Sequence, residues 1–490
     1  MRLTLAEVAG ATGGLLTGGA DGSAPVTSVS IDTRTLAPGA LFVALRAERD
    51  GHDYVTDAFA RGAVAALVER RVEGLPASAA LVAVPDTADA LSALGRAARH
   101  RLEGVPVVGI TGSTGKTSTK DLTVAALSPA GPVGASPVSF NNEIGVPLTL
   151  LGAPEGAGAV VVEMGARGVG HIAALTAVAR PTVGVITNIG VAHAELFVSR
   201  VPGRGVSPRE LVARAKGELL EALPPSGHAV LCADDDMTPA LARRSAAPVI
   251  TAGLAASADV RVSSLALDAE LRPSFHLETP WGGLDVPALP VRGAHQAGNA
   301  ALAVAVAGLL GVALEVAGGG LAGAVGAPWR MELRRTPGGL VVLNDAYNAN
   351  PTSMAAALAA LVALGNGSGR RFAVLGPMAE LGAVSDAEHR RIGRLAAGSG
   401  LAGVVAVGPG AAPLAEGSRE AGADAILVEG PAAAVAVLAG RLRPGDAVLV
   451  KASRVAGLEL VAAALLAWPD QGGGDEAGLE TGAVGGQETQ

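Results

Sequence analysis

Residues 109–117 read GITGSTGKT, directly after an apolar run and directly before a helical pattern. No other stretch constrains the fold as tightly. A strand feeding a glycine turn that opens a helix is half of a parallel α/β unit. Gly112 and Gly115 let the backbone wrap closely around a polyphosphate, with the N–H groups of the turn and the helix N-terminus aimed at the anion. Lys116 can neutralise phosphate charge, and the Thr117 hydroxyl can ligate Mg²⁺. The spacing is G-x-x-G-K-T, and Ile110 stands where the strict Walker pattern wants glycine. The motif predicts an ATP site made by Thr111, Gly112, Ser113, Thr114, Gly115, Lys116, Thr117 and Ser118.

The alternation continues on both sides. Strand candidates lie at 105–110, 159–162, 183–187 and 229–232, with helical patterns between them. A second set lies at 340–344, 372–375, 404–407, 425–428 and 447–450. Both sets predict parallel sheets in an α/β protein. Residues 1–103 carry short strands and one helix-like stretch at 54–68. The reading divides the 490 residues into 1–103, 104–327 and 328–468, with a Gly/Glu/Gln-rich tail at 469–490 that reads as disordered.

Composition excludes several classes. Hydrophobic residues make up 49% and aromatics only 2%, so the cores must be built from Ala, Val and Leu. A formal charge of −8 without a Lys/Arg-rich run argues against nucleic acid. Cys232 is the only cysteine, which rules out an intramolecular disulfide and suits a small apolar strand residue. Residues 1–10 read as a strand and a helix start rather than a secretory signal. The most apolar run, 300–314, is shorter than the roughly 20 residues a span needs. It reads as a buried helix. No integral membrane segment is expected, and the protein is expected to be cytoplasmic and monomeric. Of the 37 basic side chains only Lys116, Lys120, Lys216 and Lys451 are lysine, so each retained lysine is a candidate for chemistry that needs a primary amine.

The TGSTGKT loop is similar to that of the Mur ligase family, which includes the folylpolyglutamate synthases. Further segments agree in order and nearly end to end: DTR at 32–34, PGALFVAL at 38–45, GHD at 51–53, NNEIGVP at 141–147 and VEMG at 162–165. They continue with TNIGVAH at 187–193, AKGE at 215–218, DDD at 234–236, His295 with Asn299, RME at 330–332, DAYNANPTSM at 345–354 and KASR at 451–454. The resemblance implies a three-domain α/β fold: a small UDP-sugar-binding domain, a central P-loop ATPase domain and a C-terminal Rossmann-like domain. It implies an ATP-dependent carboxylate–amine ligase working through an acyl phosphate. Residues 345–354, 141–151 and 374–382 resemble the member that adds D-alanyl-D-alanine to UDP-N-acetylmuramoyl-tripeptide, and the Asp-Asn-Pro-Arg type of run for a diamino acid is missing.

The same resemblance implies roles. Glu163 and His193 serve Mg²⁺ with Thr117, and Lys216 is carbamylated, an anion that helps position the metal. Asn299 contacts adenine, Arg330 phosphate and Asp345 ribose. Ser30, Asp32, Thr33 and Arg34 bind the UDP-sugar, and Asn141 and Asn142 bind substrate. Asn348, Asn350 and Ser353 lie near the dipeptide, and Lys451 and Arg454 take a carboxylate or phosphate. Structural alternatives stand beside these roles: helix capping for Asn299, Asn348, Asn350 and Ser353, and an exposed ion pair with Glu218 or Glu221 for Lys216. Pro377 and Ala452 stand where the family usually has Asp and Gly, and 198–208 reads as a surface insertion. The rival functions are a Mur-type or folylpolyglutamate-type ligase for another amine, a P-loop kinase or NTPase that makes no amide, and a non-catalytic UDP-sugar-binding protein.

Overall fold

The computed structural model describes residues 3–19, 21–76, 79–136, 140–191, 194–198, 207–364 and 369–468. His193, most of the expected insertion at 198–208 and the tail at 469–490 lie outside them.

Three large sheets follow one another along the chain. The first has five strands. Its order from the edge is Leu15–Thr17, Ala80–Ala83, Ala65–Val68, Ala40–Val43 and Ser28–Ser30, parallel except for the first pair. The helix-like stretch at 54–68 is corrected here. A short helix, Val55–Ala60, stops at Arg61, and Gly62 turns the chain at φ 94. Ala65–Val68 then runs as a fully buried strand. A strand buried on both faces has no period-two signal, and its alanines read as helix. The long helix of this domain is Thr87–Arg101, N-capped by Asp86.

The central sheet has nine strands. The P-loop strand Val107–Thr111 lies between Ala159–Glu163 on one side and Val183–Ile186 on the other. His228–Cys232, Val249–Gly253 and Val260–Leu267 extend the parallel run on one side, and Val133–Ala135 closes the other. An antiparallel hairpin, Pro273–Thr279 with Gly282–Val286, finishes the far edge. Strands on opposite sides of Val107–Thr111 belong to opposite windings. The crevice at its carboxyl end is therefore the place where an open α/β sheet binds ligands.

The Ala-rich helix His295–Leu309 is buried along nearly its whole length between this sheet and the P-loop helix Lys116–Leu127. Small side chains permit that approach from several sides. The apolar run at 300–314 is thus a core helix, and among the described residues no helix is long and apolar enough to cross a membrane. Cys232 ends its strand, and burial pushes its thiol up to about 11, which keeps it a protonated small residue.

The third sheet has six strands. Val341–Asn344, Ala447–Lys451, Arg371–Leu375, Gly403–Val407 and Ala425–Val428 run parallel, with Glu332–Arg335 antiparallel at the edge. Two of its helices, Ser385–Gly398 and Ala412–Glu420, pack backbone to backbone. A Cβ on Gly393 would lie 2.1 Å from the Leu414 carbonyl oxygen, and one on Gly417 would lie 2.3 Å from that of Arg390. Backbone cannot yield as a side chain tip can. Gly393→Ala is therefore expected to cost about 1–3 kcal/mol by overpacking. Calorimetry should show a melting transition lowered by several degrees; an unchanged transition would refute the packing argument.

Candidate active site

A cleft of about 800 Å³ opens at the carboxyl end of Val107–Thr111, walled by the central and C-terminal domains. The loop that floors it is clamped from the neighbouring strand end. Ser113 N–H donates to Asn188 O at 3.0 Å, Thr114 N–H to Asn188 Oδ1 at 3.0 Å, and Ser113 Oγ to Gly190 O at 3.0 Å. Gly112 has φ 151, and a Cβ there would stand 1.8 Å from Thr187 Oγ1, so only glycine fits. Ser113 to Ser118 line the cleft; Thr111 and Gly112 do not. The fully buried Thr111 hydroxyl donates to Met164 O at 2.7 Å and ties the loop strand to its neighbour, which corrects its expected place at the phosphates.

Gly112 contributes its carbonyl oxygen. Lys116 Nζ donates to it at 2.8 Å and Lys216 Nζ at 2.9 Å, so two amines share one acceptor. Lys216 sits within the helix Pro208–Glu221, is 3% exposed and reaches the loop carbonyl at the cleft floor rather than Glu221. The expected alternative of an exposed, paired lysine therefore fails. Burial first, and then the neighbouring Lys116 charge, push the Lys216 amine well below its ordinary value, against the pull of Glu163. Lys116 is lowered by burial and by Arg330, again against Glu163.

Glu163 closes the strand Ala159–Glu163 and is 1% exposed. Its two oxygens are aimed by different donors: Thr117 Oγ1 at 2.9 Å and Asn141 Nδ2 at 2.8 Å. Asn142 lies just before the following helix, where its Oδ1 accepts from Gly145 N–H at 2.9 Å. The buried carboxylate and hydroxyl form an all-oxygen pair at the mouth of a phosphate loop, which suits Mg²⁺, a hard cation. Among the described residues no three His, Cys, Asp or Glu side chains gather into a metal-sized group. Magnesium sites that use one or two carboxylates, water and phosphate do not need such a group.

The opposite wall comes from the C-terminal domain. Arg330 Nη2 donates to Thr117 Oγ1 at 3.2 Å, and its guanidinium lies 4.1 Å above the Tyr347 ring. Its neighbours Trp329 and Met331 hold φ values of 57 and 51, a left-handed conformation that costs non-glycine residues roughly 1–2 kcal/mol each. Met331 N–H donates to Asp345 Oδ1 at 3.0 Å, and Lys451 Nζ reaches Asp345 Oδ2 at 2.5 Å and Asn348 O at 2.9 Å. Lys451 is thus spent on fixing the turn at 345–348 and is not a free cation for substrate. Arg454 does not line the cleft; it stacks 4.2 Å above Trp329 and pairs with Glu459 at 3.3 Å.

Asn350 caps the helix Pro351–Ala363 and exchanges hydrogen bonds with Ser353, so helix capping occupies both side chains even though they line the cleft with Asn348. Asn299 lies one turn inside its helix and accepts from Thr119 Oγ1 at 3.3 Å. Ser30, Asp32, Thr33 and Arg34 stand apart, at the edge strand of the first sheet and the turn after it, with Arg34 paired to Asp32 at 2.7 Å. Sequence reasoning singled out neither Arg209 nor Arg167. Arg209 donates to Ile189 O at 2.8 Å and pairs with Asp235 at 3.0 Å. Arg167 follows Glu163 by four residues, and its place beyond a parallel strand's carboxyl end is the signal that could have found it.

Three family models match in chain order: "Mur ligase family, catalytic domain" over 25–99, "Mur ligase middle domain" over 110–307, and "Mur ligase, glutamate ligase domain" over 329–454. The UDP-N-acetylmuramoyl-tripeptide--D-alanyl-D-alanine ligase of Mycobacterium tuberculosis is 41% identical, over 95% of this chain and 98% of the relative. The Bacillus subtilis enzyme of the same name is 34% identical over 80% and 82%. MurF from Acinetobacter baumannii superposes with a TM-score of 0.84 at 31% identity, covering 96% of this chain and 99% of that one. Another A. baumannii structure, named as a UDP-N-acetylmuramoylalanyl-D-glutamyl-2,6-diaminopimelate--D-alanyl-D-alanyl ligase, gives 0.80 at 32% identity over 96% and 99%. Thermotoga maritima MurF in complex with ADP gives 0.74 at 28% identity over 90% and 97%. With that likeness running end to end over a sheet, loop and cleft of this kind, the chain belongs to the Mur ligase family.

Proposed function

We propose that this chain is an ATP-dependent ligase that adds D-alanyl-D-alanine to UDP-N-acetylmuramoyl-tripeptide in peptidoglycan precursor synthesis. The carrying observation is its 41% identity, nearly end to end, to ligases named for that reaction. The cleft fits the chemistry. The tripeptide carboxylate attacks the γ-phosphate of ATP, giving an acyl phosphate and ADP. The deprotonated dipeptide amine then attacks the activated carbonyl, and phosphate leaves. Lys116 and the loop N–H groups stabilise charge on the transferring phosphoryl group. Mg²⁺, held through Thr117, Glu163 and the proposed ligand His193, would supply further neutralisation of phosphate charge.

Lys216 takes the second role. CO₂ adds only to a neutral amine, and burial together with the neighbouring Lys116 charge shifts Lys216 toward that neutral form relative to an exposed lysine. Its carbamate would turn a cation beside Lys116 into an anion. Asn299 faces adenine, Asp345 the ribose and Arg330 the phosphates. Ser30, Asp32, Thr33 and Arg34 hold the UDP-sugar; Asn141 and Asn142 orient substrate and carboxylate, and 348–353 meet the dipeptide. This division of labour goes with domains at 1–103, 104–327 and 328–468. The reading includes a monomer in the cytoplasm, where ATP and UDP-linked precursors are at hand.

Phosphate release should require both the UDP-linked tripeptide and D-alanyl-D-alanine, and mass spectrometry should find a product heavier by one dipeptide unit. Release indifferent to the dipeptide would overturn the reading in favour of an ATPase or a ligase for a different amine. Lys116→Ala is expected to abolish both ADP and amide formation; substantial turnover in that variant would remove the loop from the mechanism.

Lys216 also makes a stability statement. Its folded value lies below the 10.5 of an ordinary lysine, so between the two the unfolded chain binds the extra proton and stability rises with pH. Lys216→Met removes that pH dependence. In carbonate-free buffer the variant is expected to melt at or above the parent at pH 7, to show a flatter rise toward pH 10, and to lose ligase activity by roughly 10²-fold or more. A variant that melts well below the parent at pH 7 would contradict a Lys216 amine that burial destabilises.

A further inference from the structure

Among the described residues, five of the six lysine and arginine side chains that line the cleft are already committed. Lys116 and Lys216 sit on Gly112 O, Lys451 on Asp345, Arg209 on Asp235 and Asp236, and Arg330 on Thr117 and the Tyr347 ring. Arg167 is the sixth. Among the described residues its guanidinium has no hydrogen-bond or ion-pair partner, and the residue is exposed into the cleft. Glu143, also exposed at the cleft, does not pair with it.

The backbone that carries Arg167 is nevertheless fixed. Gly165 N–H donates to Asn141 O at 2.6 Å, and Arg167 N–H to His171 Nδ1 at 3.3 Å. Glu218 then accepts from Gly170 N–H at 2.6 Å and Ala173 N–H at 3.0 Å. A free guanidinium on an anchored loop, four residues beyond Glu163, is a preorganised receptor for a planar anion.

We propose that Arg167 binds a carboxylate of the peptide substrate other than the one being activated. This rests on the ligase reading above. The reacting carboxylate belongs at Lys116, Thr117 and Glu163. The dipeptide's place is proposed on the opposite wall, at 348–353. Arg167 projects from the central domain's own loop, on the tripeptide's side. Two sources supply the same chemistry there. One is a side-chain carboxylate on the third residue, present in 2,6-diaminopimelate and missing from lysine. The other is the free carboxylate of the glutamyl residue, common to both peptides.

The test is steady-state kinetics of the full chain and of Arg167→Gln and Arg167→Lys, with UDP-muramoyl tripeptides ending in diaminopimelate or in lysine. Arg167→Gln should raise the KM for the diaminopimelate tripeptide about tenfold, the worth of one charge-assisted contact. Its kcat should stay within about twofold of the parent's, as expected for lost ground-state binding. The KM values for ATP and dipeptide should not move, and Arg167→Lys should recover part of the loss. An unchanged KM for the lysine tripeptide assigns the contact to the third residue; an equal rise assigns it to the glutamyl carboxylate. Unchanged KM values for both tripeptides, or a rise confined to the dipeptide, would overturn the proposal. A native chain that ligates neither tripeptide would instead overturn the underlying reaction.

Discussion

Two lysine amines meeting on the carbonyl of Gly112 set the terms for everything around them. Burying one ammonium is costly, and burying a second beside it adds repulsion. The fold answers in three ways. Glu163 brings an opposite charge at the end of the adjacent strand. The loop presents backbone dipoles, and Lys216 is held toward its neutral form. Each answer needs the carboxyl edge of a parallel sheet, where strand ends, loops and helix N-termini converge. A site with such an excess of cationic groups is suited to polyphosphate, whose charge repays the desolvation when it binds.

The C-terminal domain completes this arrangement through a strained segment at the domain junction. Trp329, Arg330 and Met331 carry the chain from one sheet to the next, and the outer two adopt left-handed backbone. What offsets that strain is visible. Arg454 stacks on Trp329, Met331 N–H bonds Asp345, and Lys451 locks Asp345 from the other side. The result holds Arg330 against Thr117, across the domain junction. A wall at this place suits acyl-phosphate chemistry, because such an intermediate hydrolyses readily where water reaches it. Of the residues in these contacts, Arg330, Met331, Asp345 and Lys451 also line the cleft.

The sequence was most legible where chemistry is local. The loop, its flanking strand and helix, and the run of alternating elements could be read because period and turn residues lie within one short window. Residues 65–68 could not, since a strand buried on both faces among alanines has no period to show. Side-chain commitments were hidden for a different reason. Thr111 bonds Met164, Lys451 bonds Asp345, and Arg454 stacks on Trp329, all partners far away in the chain. A motif names the residues that gather at a site, but the fold decides which of them keep a hand free. Arg167 is the converse case: it belongs to none of the quoted motifs, and among the described residues its guanidinium has no partner.

The scarcity of lysine makes physical sense at this level. Lys120, Lys216 and Lys451 are 2%, 3% and 1% exposed, and Lys116 lies half-buried in the cleft. Lys120 fastens the end of Val133–Ala135 to the P-loop helix, donating to Ser136 O at 2.6 Å while pairing with Asp121 at 2.9 Å. None of these places would take arginine. A guanidinium is larger, planar and permanently charged, and it needs more acceptors than one or two carbonyls offer. An ammonium is compact, and in a buried site it can give up its proton. A chain that uses arginine wherever charge meets water has kept lysine only where the interior demands a small cation or a neutral amine. The four exceptions therefore trace the active-site wall and the supports behind it.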